Sequence, residues 1–230
     1  MTPERDETAG ESAGMNASTT SAREDQAAIA ARHAALAPSR GALSCGSALD
    51  RAAPAPGETV VDLGCGRGQD VVRAAALVRE GGHAIGVDLS AEVLAKARRL
   101  VPKSLSNVRF VRSGLAPLDL PPAVADVVIS SCAIHDAPDT EAVYREIHRV
   151  LRPGGRFVVS DVVAEEAPPE AVRSDRAAGA ARHGGAIPEA EYVGAARRAG
   201  FEAVEVLERS APYEQEGVRL RSLTLKGTRR

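Results

Sequence analysis

The sequence predicts an α/β fold: a doubly wound, mostly parallel sheet of seven strands that ends in an antiparallel C-terminal hairpin. Three observations predict it. Short apolar runs alternate with stretches of helical period, the pattern of strand–helix–strand units. The runs are close to continuously apolar, as parallel strands buried on both faces must be. A glycine-rich turn joins the first run to the first amphipathic stretch, where the backbone must reverse sharply.

The chain has 230 residues, 44% hydrophobic and 26% charged, which suits one globular domain with a real core and an appendage. Residues 1–25 are rich in small and polar side chains and are expected to be disordered, because they hold too little apolar surface to offset ordering. Residues 26–56 read as leading helices, one over 26–37 and a second over 42–53, before the Pro54–Pro56 linker. The main domain is expected over 57–230.

Its first strand is Thr59–Leu63, broken by Gly64-Cys65-Gly66-Arg67-Gly68. Val71, Ala74, Ala75 and Val78 then form one helical stripe, stopped by Gly81-Gly82. A second unit repeats the logic. His83–Leu89 is a strand, Ser90 an N-cap, and Val93, Leu94, Ala97, Leu100 and Val101 the buried face of a helix that Pro102 ends. Asn107–Arg112 and Ala125–Cys132 are the third and fourth strands. Thr140–Leu151 is a helix, and Arg156–Val162 the fifth strand. Pro188 opens a helix that Gly200 ends, and Glu202–Glu208 with Val218–Lys226 form the hairpin at the sheet edge, with a bulge expected near Ser222.

Ligands of such sheets sit beyond the carboxyl ends of the strands, and the motifs lie there. The glycine spacing is G-x-G-x-G, and Asp88 closes the next strand, where a carboxylate can bridge two ribose hydroxyls. Lys plus Arg (29) nearly balance Asp plus Glu (31), giving a net charge of -2, so no general attraction to nucleic acid or anionic membrane is expected. No apolar run of membrane-spanning length and no secretory leader is seen, which points to a cytoplasmic protein with reduced thiols at Cys45, Cys65 and Cys132 and no metal site. Nothing in the sequence specifies an oligomeric state.

Four blocks in order resemble the class I S-adenosylmethionine-dependent methyltransferases, a Rossmann-like family: Val60–Gly68, Gly86–Ser90, Asp126–Ser130 and Leu151–Gly155. The resemblance implies S-adenosylmethionine as cofactor. The turn with Gly64, Cys65, Gly66 and Gly68 would hold its methionine part, with Asp62 near the amino group and Asp88 on the ribose. Adenine would lie between Leu89 and Leu115, beside Gly114, because Ser113-Gly114 stands where relatives often carry an acid after the glycine; Ser130 closes the set.

Within the family, Ser44-Cys45-Gly46, the stretch Val128–Ile134, Ser160–Val163 and Gly184–Ile187 resemble the arsenite methyltransferases. Those enzymes hold a trivalent metalloid on two or three thiolates. Here Arg182 and Val71 match two family cysteines, so the scaffold is similar while the metalloid site is depleted. The function expected is methyl transfer to a small-molecule acceptor. The alternatives are an arsenite methyltransferase using Cys45 and Cys132, and a non-catalytic cofactor-binding module. Cys65 is expected to be a buried filler. His135 and Asp136, directly after the fourth strand, are candidate proton-handling residues, with Asp161 placed to orient His135 or a substrate. Cys132, Arg182 and His183 are candidate substrate contacts, and His148 is expected to be solvated.

Overall fold

The computed structural model describes residues 48–167, 186–215 and 217–230. The expected tail over 1–25 and the helix over 26–37 lie outside the described residues, as do Cys45, Arg182 and His183. The elements run α1 (Ala48–Ala52), β1 (Thr59–Leu63), α2 (Gln69–Val78), β2 (His83–Asp88), α3 (Ala91–Leu100), β3 (Val108–Arg112), β4 (Ala125–Ser131), α4 (Thr140–Val150), β5 (Leu151–Ala164), α5 (Glu189–Arg198), β6 (Glu202–Arg209), β7 (Tyr213–Gln215) and β8 (Val218–Thr228). A short 3-10 turn, Ile134–Asp136, follows β4.

The sheet order is β3-β2-β1-β4-β5-β8-β6, with β7 paired to β8. The first five strands are parallel neighbours, and β8 is antiparallel to β5, β6 and β7. The order reverses between β1 and β4, the switch point at which open α/β sheets bind ligands. Alternation within β1 sorts the two faces. Val61 and Leu63 join the layer covered by α4 and α5, while Val60 joins the layer beneath α1, α2 and α3.

Several expectations need correction. Among the described residues there are eight strands, one more than expected, and the antiparallel C-terminal pair does sit at the sheet edge, with β8 against β5 and β6 outermost. This buries the more apolar strand and leaves the Glu-rich one outermost, where its free backbone edge is guarded by charge. The bulge falls in β6, where pairing slips between Val206 and Glu208, and β8 runs through Ser222 in unbroken register with β5. β4 stops at Ser131, so Cys132 stands outside it in a left-handed conformation. Leu100 is 58% exposed, so the buried face of α3 ends at Ala97. His148 is half-buried, its ring 5.1 Å from that of Phe201, and burial beside Arg229 holds its pKa below the ordinary histidine value.

The predicted cap is present: Ser90 Oγ accepts from Val93 N at 3.2 Å. Asn107 has a role with no sequence signature. Its amide donates to the carbonyls of Ala75, Arg79 and Gly82, three acceptors at the C-terminal end of α2 and the turn that follows. Among the described residues no helix is long and apolar enough to cross a membrane.

Candidate functional site

A cavity of about 180 Å³ opens beyond the carboxyl ends of the first four strands. Its walls come from Gly64 after β1, Asp88 and Leu89 after β2, the Ser113–Ala116 turn after β3, Ala133 and Asp136–Asp139 after β4, and the first turn of α4 at Ala142 and Val143. Its wall after β3 is tied down from below. Ser113 Oγ donates to Gly114 O and accepts from Asp119 N, while Arg149 on α4 donates to the carbonyls of Leu118 and Leu120.

The glycine turn has three residues at positive φ, with Gly64 at 68°, Gly66 at 55° and Gly68 at 76°. They serve different ends. A Cβ on Gly64 would lie 2.3 Å from Ala133 Cβ, and one on Gly68 would lie 2.8 Å from the Phe110 ring, so both permit close packing. A Cβ on Gly66 would meet nothing within 4 Å. Gly66 therefore faces open space, and a side chain there would strain the turn because of its positive φ.

Two carboxylates attend the turn. Asp88 accepts from Gly66 N at 3.0 Å and from Ser90 N at 2.9 Å, one bond on each oxygen. Each oxygen can accept again, and the residue lines the cavity. Asp62 is 6% exposed, and burial, with the charges of Asp70 and Asp88, holds its carboxyl well above the usual carboxylate range. Such a group is poised to ionise against a cation.

The second constellation centres on Asp161, which is fully buried in β5. Its Oδ2 accepts from Ile134 N and His135 N, both at 2.9 Å, and from the Tyr192 hydroxyl at 3.0 Å. Its Oδ1 accepts from Val162 N and pairs with His135 Nδ1. The Nε2 atom of His135 lies 3.5 Å from Asp136 Oδ1. Asp161 thus pins the turn whose flanking residues wall the cavity, and it does contact His135 as the sequence suggested.

The structure divides the predicted site residues. Gly64, Asp88, Leu89, Gly114, Leu115 and Asp136 line the cavity. Cys65 turns its free thiol into the apolar layer under α2, and burial pushes its pKa up. Ser130 is fully buried and donates to Leu63 O at 2.9 Å, tying β4 to β1. Cys132 packs beside a separate small cluster of Val162, Ala164, Ala186, Val218 and Leu220. It is disulfide-bonded, which corrects the expectation of reduced thiols throughout.

The family model described as a methyltransferase domain matches residues 54–211, more than half of the chain. The chain belongs to that methyltransferase family. An arsenite methyltransferase of Halobacterium salinarum is 41% identical over 165 residues, covering 71% of this chain and 42% of the relative. The human arsenite methyltransferase is 30% identical over 152 residues, covering 62% and 40%. This methyltransferase therefore spans about two-fifths of the length of the curated relatives it matches. Among solved structures, an arsenic(III) S-adenosylmethionine methyltransferase from Chlamydomonas reinhardtii superposes with a TM-score of 0.67 at 28% identity, covering 86% of this chain and 72% of that one. The fold is that of the class I S-adenosylmethionine-dependent enzymes.

The methyltransferase's own residues fit that cofactor. An ammonium suits the buried Asp62 carboxylate, a ribose diol suits the unspent acceptor capacity of Asp88, and Leu89 with Leu115 offers apolar walls for a flat heterocycle.

Proposed function

We propose that this methyltransferase transfers a methyl group from S-adenosylmethionine to a small-molecule acceptor held beyond β4 and β5. One observation carries the reading: Gly64 of the glycine turn and the Asp88 carboxylate together wall a cavity beyond the carboxyl ends of the strands. When bound, S-adenosylmethionine supplies an electrophilic methyl group on a sulfonium centre. The chain holds the ammonium at Asp62 and the ribose at Asp88, and the Ala133–Ala137 segment aligns the acceptor, since alignment supplies much of the acceleration in methyl transfer. His135 takes the proton that an O–H or N–H acceptor gives up. Its Nδ1 pairs with Asp161, and its Nε2 lies 3.5 Å from Asp136 Oδ1. Calorimetry with S-adenosylmethionine and its demethylated product tests the reading. Micromolar binding by the wild type that is lost in a folded Gly66→Val variant is expected, and undiminished binding by the variant would defeat it.

A second reading, arsenite as the acceptor, is favoured by the disulfide at Cys132 together with the arsenite methyltransferase relatives. Once reduced, such a bond yields the paired thiolates that a soft trivalent ion prefers. Assay of arsenite methylation with glutathione, in wild type and in the Cys45→Ser, Cys132→Ser double variant, decides between the two. Turnover that disappears with the thiols selects arsenite, and activity toward another acceptor that survives their loss selects the first reading.

A further inference from the structure

Tyr192 lies on α5, remote in sequence from the cavity and fully buried. Its ring stands edge-on to Tyr144 with centroids 5.8 Å apart, part of an aromatic group completed by Phe157 and Phe201. A core tyrosine in such a place needs only to fill volume. This one also directs its hydroxyl onto Asp161 Oδ2.

We propose that Tyr192 is a positioning residue for His135, acting through Asp161. The inference rests on the reading of His135 as the proton acceptor. The backbone donors to Asp161 come from the 134–135 turn and from β5 itself, so they fix the carboxylate relative to those segments alone. Tyr192 adds a bond from a third element and the one side-chain hydroxyl in the set, tying α5 to the carboxylate. Every donor on Oδ2 also draws charge away from Oδ1, the oxygen that faces His135 Nδ1. Burial holds the Tyr192 hydroxyl well above the usual tyrosine range, so it remains a donor wherever the chain is folded.

Removing that hydroxyl concentrates charge on Asp161, and His135 should then hold its proton more tightly. The test is nuclear magnetic resonance of the full chain carrying 15N-labelled histidine, with the His135 signal identified among the five histidines by its loss in His135→Gln. Tyr192→Phe is expected to raise the His135 titration midpoint by about half a unit to one unit, with Nδ1 still protonated. A core-filling role leaves the signal unmoved, so an identical midpoint, or an identical 15N shift where no midpoint is reached, overturns the proposal. Should Tyr192→Phe fail to fold, 3-fluorotyrosine at the three tyrosines strengthens the donor instead, with Tyr144→Phe and Tyr213→Phe as controls. A lowered midpoint is then expected, and an unchanged one overturns the proposal. Turnover by His135→Gln is scored separately. Full activity there removes the proton-acceptor reading, whatever the resonance shows of Tyr192.

Discussion

Asp88 and Asp161 end up in similar burial, 4% and 0% exposed, yet they serve the two halves of the site in opposite ways. Asp88 accepts two backbone N–H bonds and keeps lone pairs toward the cavity. Asp161 takes bonds from three backbone amides, a tyrosine and a histidine, which leaves it little capacity for any ligand. A buried carboxylate in a binding site is therefore read by its unspent acceptors more than by its depth. The cofactor half of the molecule leaves acceptors unspent, and the half beneath the acceptor side spends them on holding a turn.

The contrast breaks first at Asp161. Asp161→Ala leaves buried donors without partners and is expected to cost about 3–5 kcal/mol of stability, measured by urea denaturation. A loss under about 1 kcal/mol would mean that the turn is held by other contacts. Asp88→Ala should have the converse profile. Cofactor affinity is expected to fall by roughly 1–3 kcal/mol in calorimetry. Stability should fall by only about 1 kcal/mol, because two backbone amides lose their acceptor, against the five donors gathered on Asp161. Equal losses in both measurements would erase the distinction between the two carboxylates.

Asp62 sharpens the comparison with the smallest effect. Its folded-state pKa is raised by burial, so the folded chain holds this proton more tightly than the unfolded chain does. That contribution to stability is present at acid pH and is lost as pH rises through the folded value. Asp62→Asn should therefore stabilise the ligand-free protein at neutral pH by on the order of 1 kcal/mol, while weakening the cofactor. Melting curves at acid and neutral pH check the first half and calorimetry the second. A variant that melts lower at neutral pH would show that the charged form is already well accommodated.

Much of the region around the glycine turn was legible in the sequence because it is local. The spacing of Gly64, Gly66 and Gly68, the acid at the end of β2 and the Ser90 cap each depend on a few neighbouring residues and on the period of the flanking elements. The different tasks of the three glycines were not legible. Phe110, which crowds Gly68, comes from β3, and Ala133, which crowds Gly64, from the turn after β4, so only assembly distinguishes the uncrowded Gly66 from its neighbours. Leu100 misled for a related reason: helical period marks a face, but where the sheet beneath that face stops is a tertiary fact.

By itself the sequence determined the alternation of strands and helices, the parallel core, the glycine turn and the acid at the end of β2, since these follow from backbone sterics and from periodicity read over ten residues or fewer. The tertiary structure alone decided that β8 would lie inside β6, that Cys132 would be joined to a second sulfur, and that a tyrosine on α5 would reach the carboxylate beneath His135. Those outcomes depend on which distant segments meet. Hydrogen bonds and S–S bonds act over about 2–3 Å, and no sequence spacing encodes a distance that the packed sheet itself creates.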